Sequence, residues 1–198
     1  MSMIEYIKVD DRSEIGLLDL ELYRKERGQN SKRDLEKEGA KFLLEEMHTG
    51  ISKHLYYDEY GKPHLDECGK FISISHSHDR LAIIMNNKEH TGIDIELIRD
   101  KVLNVRHKFL SPGEYSAIRE NETEKYLVYW AAKESLYKIH GRKKVDFIRH
   151  LFIEPFNYDL GGGELTGKIS LTGYKKTFRL HYERRENYIL VYMLNEHE

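Results

Sequence analysis

The stretch "TGIDIELI", residues Thr91 to Ile98, decides how the chain is read. Ile93, Ile95 and Leu97 alternate at the strand period and so share one face. Gly92, Asp94, Glu96 and Ile98 share the other, which sets two carboxylates roughly 7 Å apart along a strand. Asp and Glu are poor strand formers, and like charges side by side repel. Two readings meet the pattern. Either the strand lies at a surface with both acids solvated, or hard oxygen ligands are spaced to meet on one divalent cation. Partners elsewhere in the chain must decide.

A length of 198 residues suits one good-sized domain or two small ones, and 39% hydrophobic residues with 14 Tyr, 7 Phe and 1 Trp support a core. Basic residues (32) nearly balance acidic ones (34). The net charge of −2 argues against a nucleic-acid partner, which normally requires a net basic domain, yet permits a local basic groove for a phosphate ligand. No apolar run approaches bilayer-spanning length, so no membrane partner is expected. The opening "MSMIEYIKVDDRSEIG" lacks the basic start and apolar centre of a signal peptide, and the expected compartment is the cytoplasm. Cys68 is the only cysteine, which rules out an intrachain disulfide and a Cys-rich metal site and reads as a structural or loop thiol.

Outward from the acidic strand, "MIEYIKVD" suggests an opening strand, followed by a short helix over residues 13 to 23. "NSKRDLEKEGAKFLLEEMHTG" places Leu35, Phe42, Leu43 and Met47 at near-helical spacing, with Ser31 or Asn30 to cap it and Gly50 to end it. "KHLYYDEYGKPHL" reads as a strand running into a turn. "KFISISHS", "RLAIIMNN" and the acidic strand together suggest an antiparallel meander. In "SPGEYSAI", Ser111 caps, Pro112 opens and Glu114 completes a capping box. "TEKYLVYWAAKESLYKIHG" is the strongest helix, closing at Gly141, and "FIRHLFIEP", "ELTGKISLTG", "KKTFRLHYE" and "NYILVYML" read as strands. The pattern predicts an α+β fold. The "GGG" at residues 161 to 163 has neither a GK[ST] end nor a following helix, so it is a strand connection and not a phosphate loop.

On the long helix, Trp130, Glu134 and Lys138 fall at i, i+4 and i+8 and share a face, with Lys133 and Tyr137 on the adjoining stripe. Alone, Glu134 and Lys138 read as a surface ion pair worth about 0.3–0.5 kcal/mol and Trp130 as core. In order along the chain, however, "GIDIE" (Gly92–Glu96), "FLSPGE" (Phe109–Glu114) and "WAAKESLYK" (Trp130–Lys138) form a set. It resembles the 4′-phosphopantetheinyl transferases of the surfactin-synthetase-activating (Sfp-like) type. Their pattern is G-[IV]-D-[IV]-E, then F-[SA]-x-x-E, then W-x-x-K-E-[SA]-x-x-K; the second segment is one residue longer here. "EYGKP" (Glu59–Pro63) and "ISISHS" (Ile72–Ser77) match two further segments, so the resemblance is strong over residues 59 to 140, looser over the N-terminal helix and weak after Gly141. Lys41 stands where many relatives carry an Arg near the CoA adenylate; it keeps the charge and loses the bidentate fork.

The resemblance implies a fold of two similar subdomains, residues 1–98 and 99–198, in a pseudo-twofold arrangement. Each is an antiparallel sheet packed with helices, and the chain is a monomer, an internal pseudo-dimer with coenzyme A (CoA) in the cleft between halves. It implies Mg²⁺ held by Asp94, Glu96 and Glu134 on the CoA pyrophosphate, which would offset the repulsion between the acids. Lys62, Ser75 and His76 would contact the nucleotide, most of all its 3′-phosphate, with Lys133 and Lys138 on phosphate oxygens. The reaction would move the 4′-phosphopantetheine arm of CoA to a serine of an apo acyl or peptidyl carrier protein, releasing 3′,5′-ADP. Glu134 would be the base, directly or through a metal-bound water, and Lys138 its catalytic companion. The segment Arg99 to Lys108, with Arg99, Lys101, Arg106 and Lys108 leading to an apolar ridge at Phe109 and Leu110, would dock the acidic carrier, unless it is only a solvated loop. Two rivals remain: a catalytically weak CoA- or carrier-binding relative, and an unrelated Mg²⁺-dependent phosphoryl-transfer enzyme. The second explains the acids but not the "GKP", "SISHS" and tryptophan-helix segments.

Overall fold

The computed structural model describes residues 2–28, 31–66, 69–119, 122–142 and 144–197; Asn30 and Cys68 lie outside them. Helices and antiparallel strands form two compact units, residues 1–91 and 92–198, so the α+β class expected from sequence is the one found.

In the first unit, strands β1 (Ile4–Lys8), β2 (Ser13–Asp19), β5 (Phe71–Ser77) and β6 (Arg80–Asn86) form an antiparallel sheet of order β1-β2-β6-β5. Residues 13–19 are thus a strand, not the start of the helix their sequence suggests. The reason is position: β2 is an inner strand buried along nearly its whole length. Such a strand loses the in–out alternation that separates it from a buried helix. The helix α1 (Leu20–Arg27) begins only after Asp19, whose Oδ1 accepts from Glu21 N and Leu22 N, both at 2.9 Å. Helix α2 (Lys32–Met47) is capped by Ser31, and its buried Gly39, Ala40, Leu43 and Leu44 lie on the sheet. Leu43 and Leu44 share a core with Leu18, Ile72, Leu81 and Ile83, while Leu35, Phe42 and Met47 pack at its margin. Gly50 does not end α2, which His48 caps; its left-handed backbone (φ 84°) opens the next single 3-10 turn, Ile51–His54. A short hairpin of β3 (Leu55–Tyr57) and β4 (Pro63–Leu65) follows.

The second unit contains β7 (Ile93–Leu97), α3 (Lys101–Val105), α4 (Pro112–Ser116), α5 (Glu122–His140), β8 (Leu151–Ile153), β9 (Gly163–Leu171), β10 (Tyr174–Arg185) and β11 (Tyr188–His197). Its sheet order is β7-β11-β10-β9-β8. The acidic strand therefore does not extend a meander with β5 and β6. Both edges of β6 are taken, by β2 and β5, and Asn86 Oδ1 turns the chain away by accepting from Lys88 N and Glu89 N at 2.8 Å. Instead β7 pairs antiparallel with β11, Asp94 opposite Val191 and Glu96 opposite Ile189. Helix α5 packs Val128, Ala132, Leu136 and Ile139 into a core with Leu165, Phe178, Leu180, Ile189 and Val191.

Candidate active site

Strand β7 and helix α5 meet unusually closely, and two small residues allow it. A Cβ added at Gly92 would lie 2.2 Å from the backbone oxygen of Ser135 and 2.9 Å from Ile139 Cγ1. Ser135 is fully buried, and its Oγ donates to Val191 O at 3.2 Å, pinning the helix to the sheet. The strand face turned towards α5 is the acidic one. Lys138 Nζ donates to Asp94 Oδ1 at 2.6 Å and to Ile93 O at 2.9 Å; Trp130 Nε1 donates to Glu96 Oε1 at 2.8 Å. Asp94 is only 4% exposed, so its charge is matched by Lys138 and not by bulk water.

Glu134, half-buried on the same helix face, carries a carboxyl pushed up to about 7. Burial is the main cause, Asp94 adds to it, Lys138 opposes it and Glu96 adds a smaller push. Among the described residues no group of three or more His, Cys, Asp or Glu side chains is arranged to hold a metal ion. The donor chemistry nevertheless suits a hard divalent cation: three carboxylates from one strand and one helix, close enough that two of them raise the third.

Lys133 departs from its expected place on a phosphate. It is fully buried, and Nζ donates to Phe109 O (2.7 Å), Glu114 Oε2 (2.7 Å) and Phe147 O (2.9 Å). Three donors are all an ammonium has, so none is left for a ligand. Burial pulls its pKa down and Glu114 opposes that. Glu114 completes the predicted capping box, accepting from Ser111 N at 2.8 Å, and also accepts from Ile153 N at 3.0 Å. Sequence reasoning saw only the cap. Nothing in the sequence says that this Glu and this Lys pair inside the fold.

In the first unit the hairpin turn is built by Asp58, a residue the sequence did not single out. Its Oδ1 accepts from Tyr60 N and Lys62 N at 2.9 Å, and Oδ2 lies 2.9 Å from His64 Nε2. Lys62 is half-buried on this turn, and burial pulls its ammonium down to about 8 against the opposing charge of Asp58. Ser75 and His76 are neighbours on β5, so their side chains leave opposite faces. His76 is exposed on the α2 side, Nδ1 3.3 Å from Glu36 Oε1, while Ser75 is buried; the two side chains do not converge. Lys41 is exposed on α2.

The segment after β7 is not a solvated loop but α3 and a 3-10 turn, Arg106–Lys108. The expected apolar ridge is absent, because Phe109 is fully buried and Leu110 is 5% exposed. Arg106 Nη1 donates to Leu103 O, and its guanidinium lies 5.8 Å from the ring centres of both Tyr115 and Tyr126. An open cavity of about 610 Å³ lies here, lined by residues that include Leu103, Arg106, His107, Pro112 and the exposed Tyr115.

The profile of the 4′-phosphopantetheinyl transferase superfamily matches residues 90–193, just over half of the chain. A 4′-phosphopantetheinyl transferase of Bacillus subtilis is 32% identical over 89 residues, 42% of this chain and 39% of the relative. The 4′-phosphopantetheinyl transferase Sfp of Bacillus subtilis strain 168 is 33% identical over 89 residues, with the same shares. The 4′-phosphopantetheinyl transferase AcpT of Salmonella typhi is 29% identical over 94 residues, 44% of this chain and 49% of the relative. The matches span less than half the length of these curated relatives.

Proposed function

The chain belongs to the 4′-phosphopantetheinyl transferase superfamily, and from that premise we propose that it moves the 4′-phosphopantetheine arm of coenzyme A to a serine of an apo acyl or peptidyl carrier protein, as the surfactin-synthetase-activating type would. The serine Oγ forms a bond to the β-phosphorus of CoA; the bond from that phosphorus to the bridging oxygen breaks, and 3′,5′-ADP leaves. The observation that carries this reading is the single face shared by Asp94, Glu96, Glu134 and Lys138.

Glu134 takes the serine proton. Without metal its carboxyl is pushed up to about 7; a cation on the same face favours the ionised form, which is the form a general base needs. Lys138, already on Asp94, brings an ammonium to the same face and offsets phosphate charge. Asp94, Glu96 and Glu134 would hold Mg²⁺, which when bound neutralises the pyrophosphate and stabilises the departing phosphate. Lys62, on its Asp58-built turn, serves the 3′-phosphate of CoA, with the exposed His76 beside the nucleotide, Ser75 offering its backbone and not its buried side chain, and Lys41 near the adenylate. Lys133 acts inside the fold and not on substrate. The carrier docks over the cavity at Leu103, Pro112 and Tyr115, with the exposed Lys101 and Lys108 facing its acidic surface. Both units work together as one catalytic monomer.

Incubation with CoA, Mg²⁺ and an apo carrier protein tests the reading. The carrier should gain about 340 Da, the mass of the arm, which a phosphoryl transferase of another kind does not add. The Asp94→Ala protein should add nothing while still binding CoA. An unchanged carrier mass with the intact protein, over acyl and peptidyl carriers alike, would favour the weak binding relative.

A further inference from the structure

Trp130 is the only tryptophan of the chain, and its ring is clamped. Phe147 stacks on it at 5.5 Å and 26°, and Phe109 meets it edge-on at 5.2 Å and 62°. The backbone carbonyls of both phenylalanines accept from one ammonium, Lys133 Nζ, which Glu114 neutralises. The indole therefore has little freedom to turn, and it presents Nε1 to Glu96 Oε1 at 2.8 Å.

We propose that Trp130 is a positioning residue: its N–H fixes the plane of the Glu96 carboxylate so that this acid meets a divalent cation, and the buried Glu114–Lys133 pair fixes the indole. The inference rests on the proposed function in one respect, that Glu96 is a metal ligand. The physical reason is general. A hydrogen bond to one oxygen of a ligating carboxylate locks its rotation, and loss of such a partner costs roughly 10–100-fold in metal affinity. A tryptophan kept only for packing would act through its ring. Phenylalanine keeps a ring between Phe109 and Phe147 and removes the donor, so Trp130→Phe separates the two roles.

Two measurements on the full chain test this, both with CoA present. Mn²⁺ binding by electron paramagnetic resonance should be about tenfold weaker in Trp130→Phe, with CoA affinity in the absence of metal unchanged. In the otherwise unaltered protein labelled with 5-fluorotryptophan, the single fluorine resonance should move on addition of Mg²⁺, and Glu96→Gln should abolish that movement. Wild-type Mn²⁺ affinity in Trp130→Phe overturns the proposal. So does a fluorine resonance that stays still while metal is bound, or a protein that binds no Mn²⁺ at all. Should Trp130→Phe not fold, the fluorine label decides alone, on the native fold. Carrier mass is read separately: a metal-responsive resonance without carrier modification removes the transferase reading and leaves the role of Trp130 intact.

Discussion

Lys133→Met removes an ammonium from the interior and leaves a side chain of similar length. The structure then holds the Glu114 carboxylate, 5% exposed, without its counter-charge, and the carbonyls of Phe109 and Phe147 lose a donor. Removing one partner of a buried ion pair costs about 3–5 kcal/mol. Glu114 keeps two backbone donors, Ser111 N and Ile153 N, which places the expected loss towards the lower end. For a chain of this size about 1 kcal/mol moves the midpoint by 2–4 °C, so a loss near 3 kcal/mol should lower Tm by roughly 6–12 °C. Thermal unfolding followed by circular dichroism measures it, and KM for CoA is measured well below the transition. The double variant Lys133→Met/Glu114→Gln should recover part of the loss, because no uncompensated charge stays inside. A Lys133→Met protein with native Tm and a raised KM for CoA would refute this reasoning and return Lys133 to the phosphate.

For Glu134 the sign follows from a folded-state pKa of about 7 against 4.5 for the free side chain. The fold favours the protonated form, so its contribution is fully present below about 4.5 and is lost as pH rises through about 7, by up to roughly 3 kcal/mol. In metal-free protein Tm should drop between pH 5 and 8, and Glu134→Gln should lack that drop; identical profiles would remove the shift. Gly92→Ala drives a Cβ into the backbone of α5 and should cost about 1–3 kcal/mol or more, read as a lower Tm; a native Tm would mean that α5 and β7 part freely. Lys62→Ala should raise KM for CoA more than for its analogue lacking the 3′-phosphate, and in the native protein KM for CoA should rise as pH passes about 8; equal effects on both substrates would move Lys62 off that phosphate. Reversing Lys101 and Lys108 to Glu should raise KM for the carrier several-fold, most at low salt, since exposed charges are screened within about 8–10 Å at physiological salt. Normal carrier modification at low salt would take the segment out of the interface.

What the sequence made legible was set by how local the signal is. Helix α5 could be read from its length and its closing Gly141, and α4 from Ser111, Pro112 and Glu114, because caps and periodicity act within a few residues. Strand β2 could not, since its burial comes from β1 and β6 on its flanks and α2 above it. The partner of β7 was equally hidden: pairing with β11 is decided by which edges are already occupied, a property of the assembled sheet. The acids of β7 and α5 were readable as a set, whereas Lys133 looked like one more cation on the helix. Only packing separates it from Lys138, about 1.4 turns further on, which reaches the acidic face.

The pairing of β7 with β11 also sets a clock. At about 5–20 residues per second, a ribosome needs roughly 5–20 s to make the hundred or so residues between Asp94 and its opposite number Val191. During that interval the strand has no neighbour in its own sheet, and a bare strand of Ile and Leu is a template for pairing with another chain. Asp94 and Glu96 interrupt that template with charge, the device by which exposed edges resist association. The two acids thus put charge on the strand whose partner is made last.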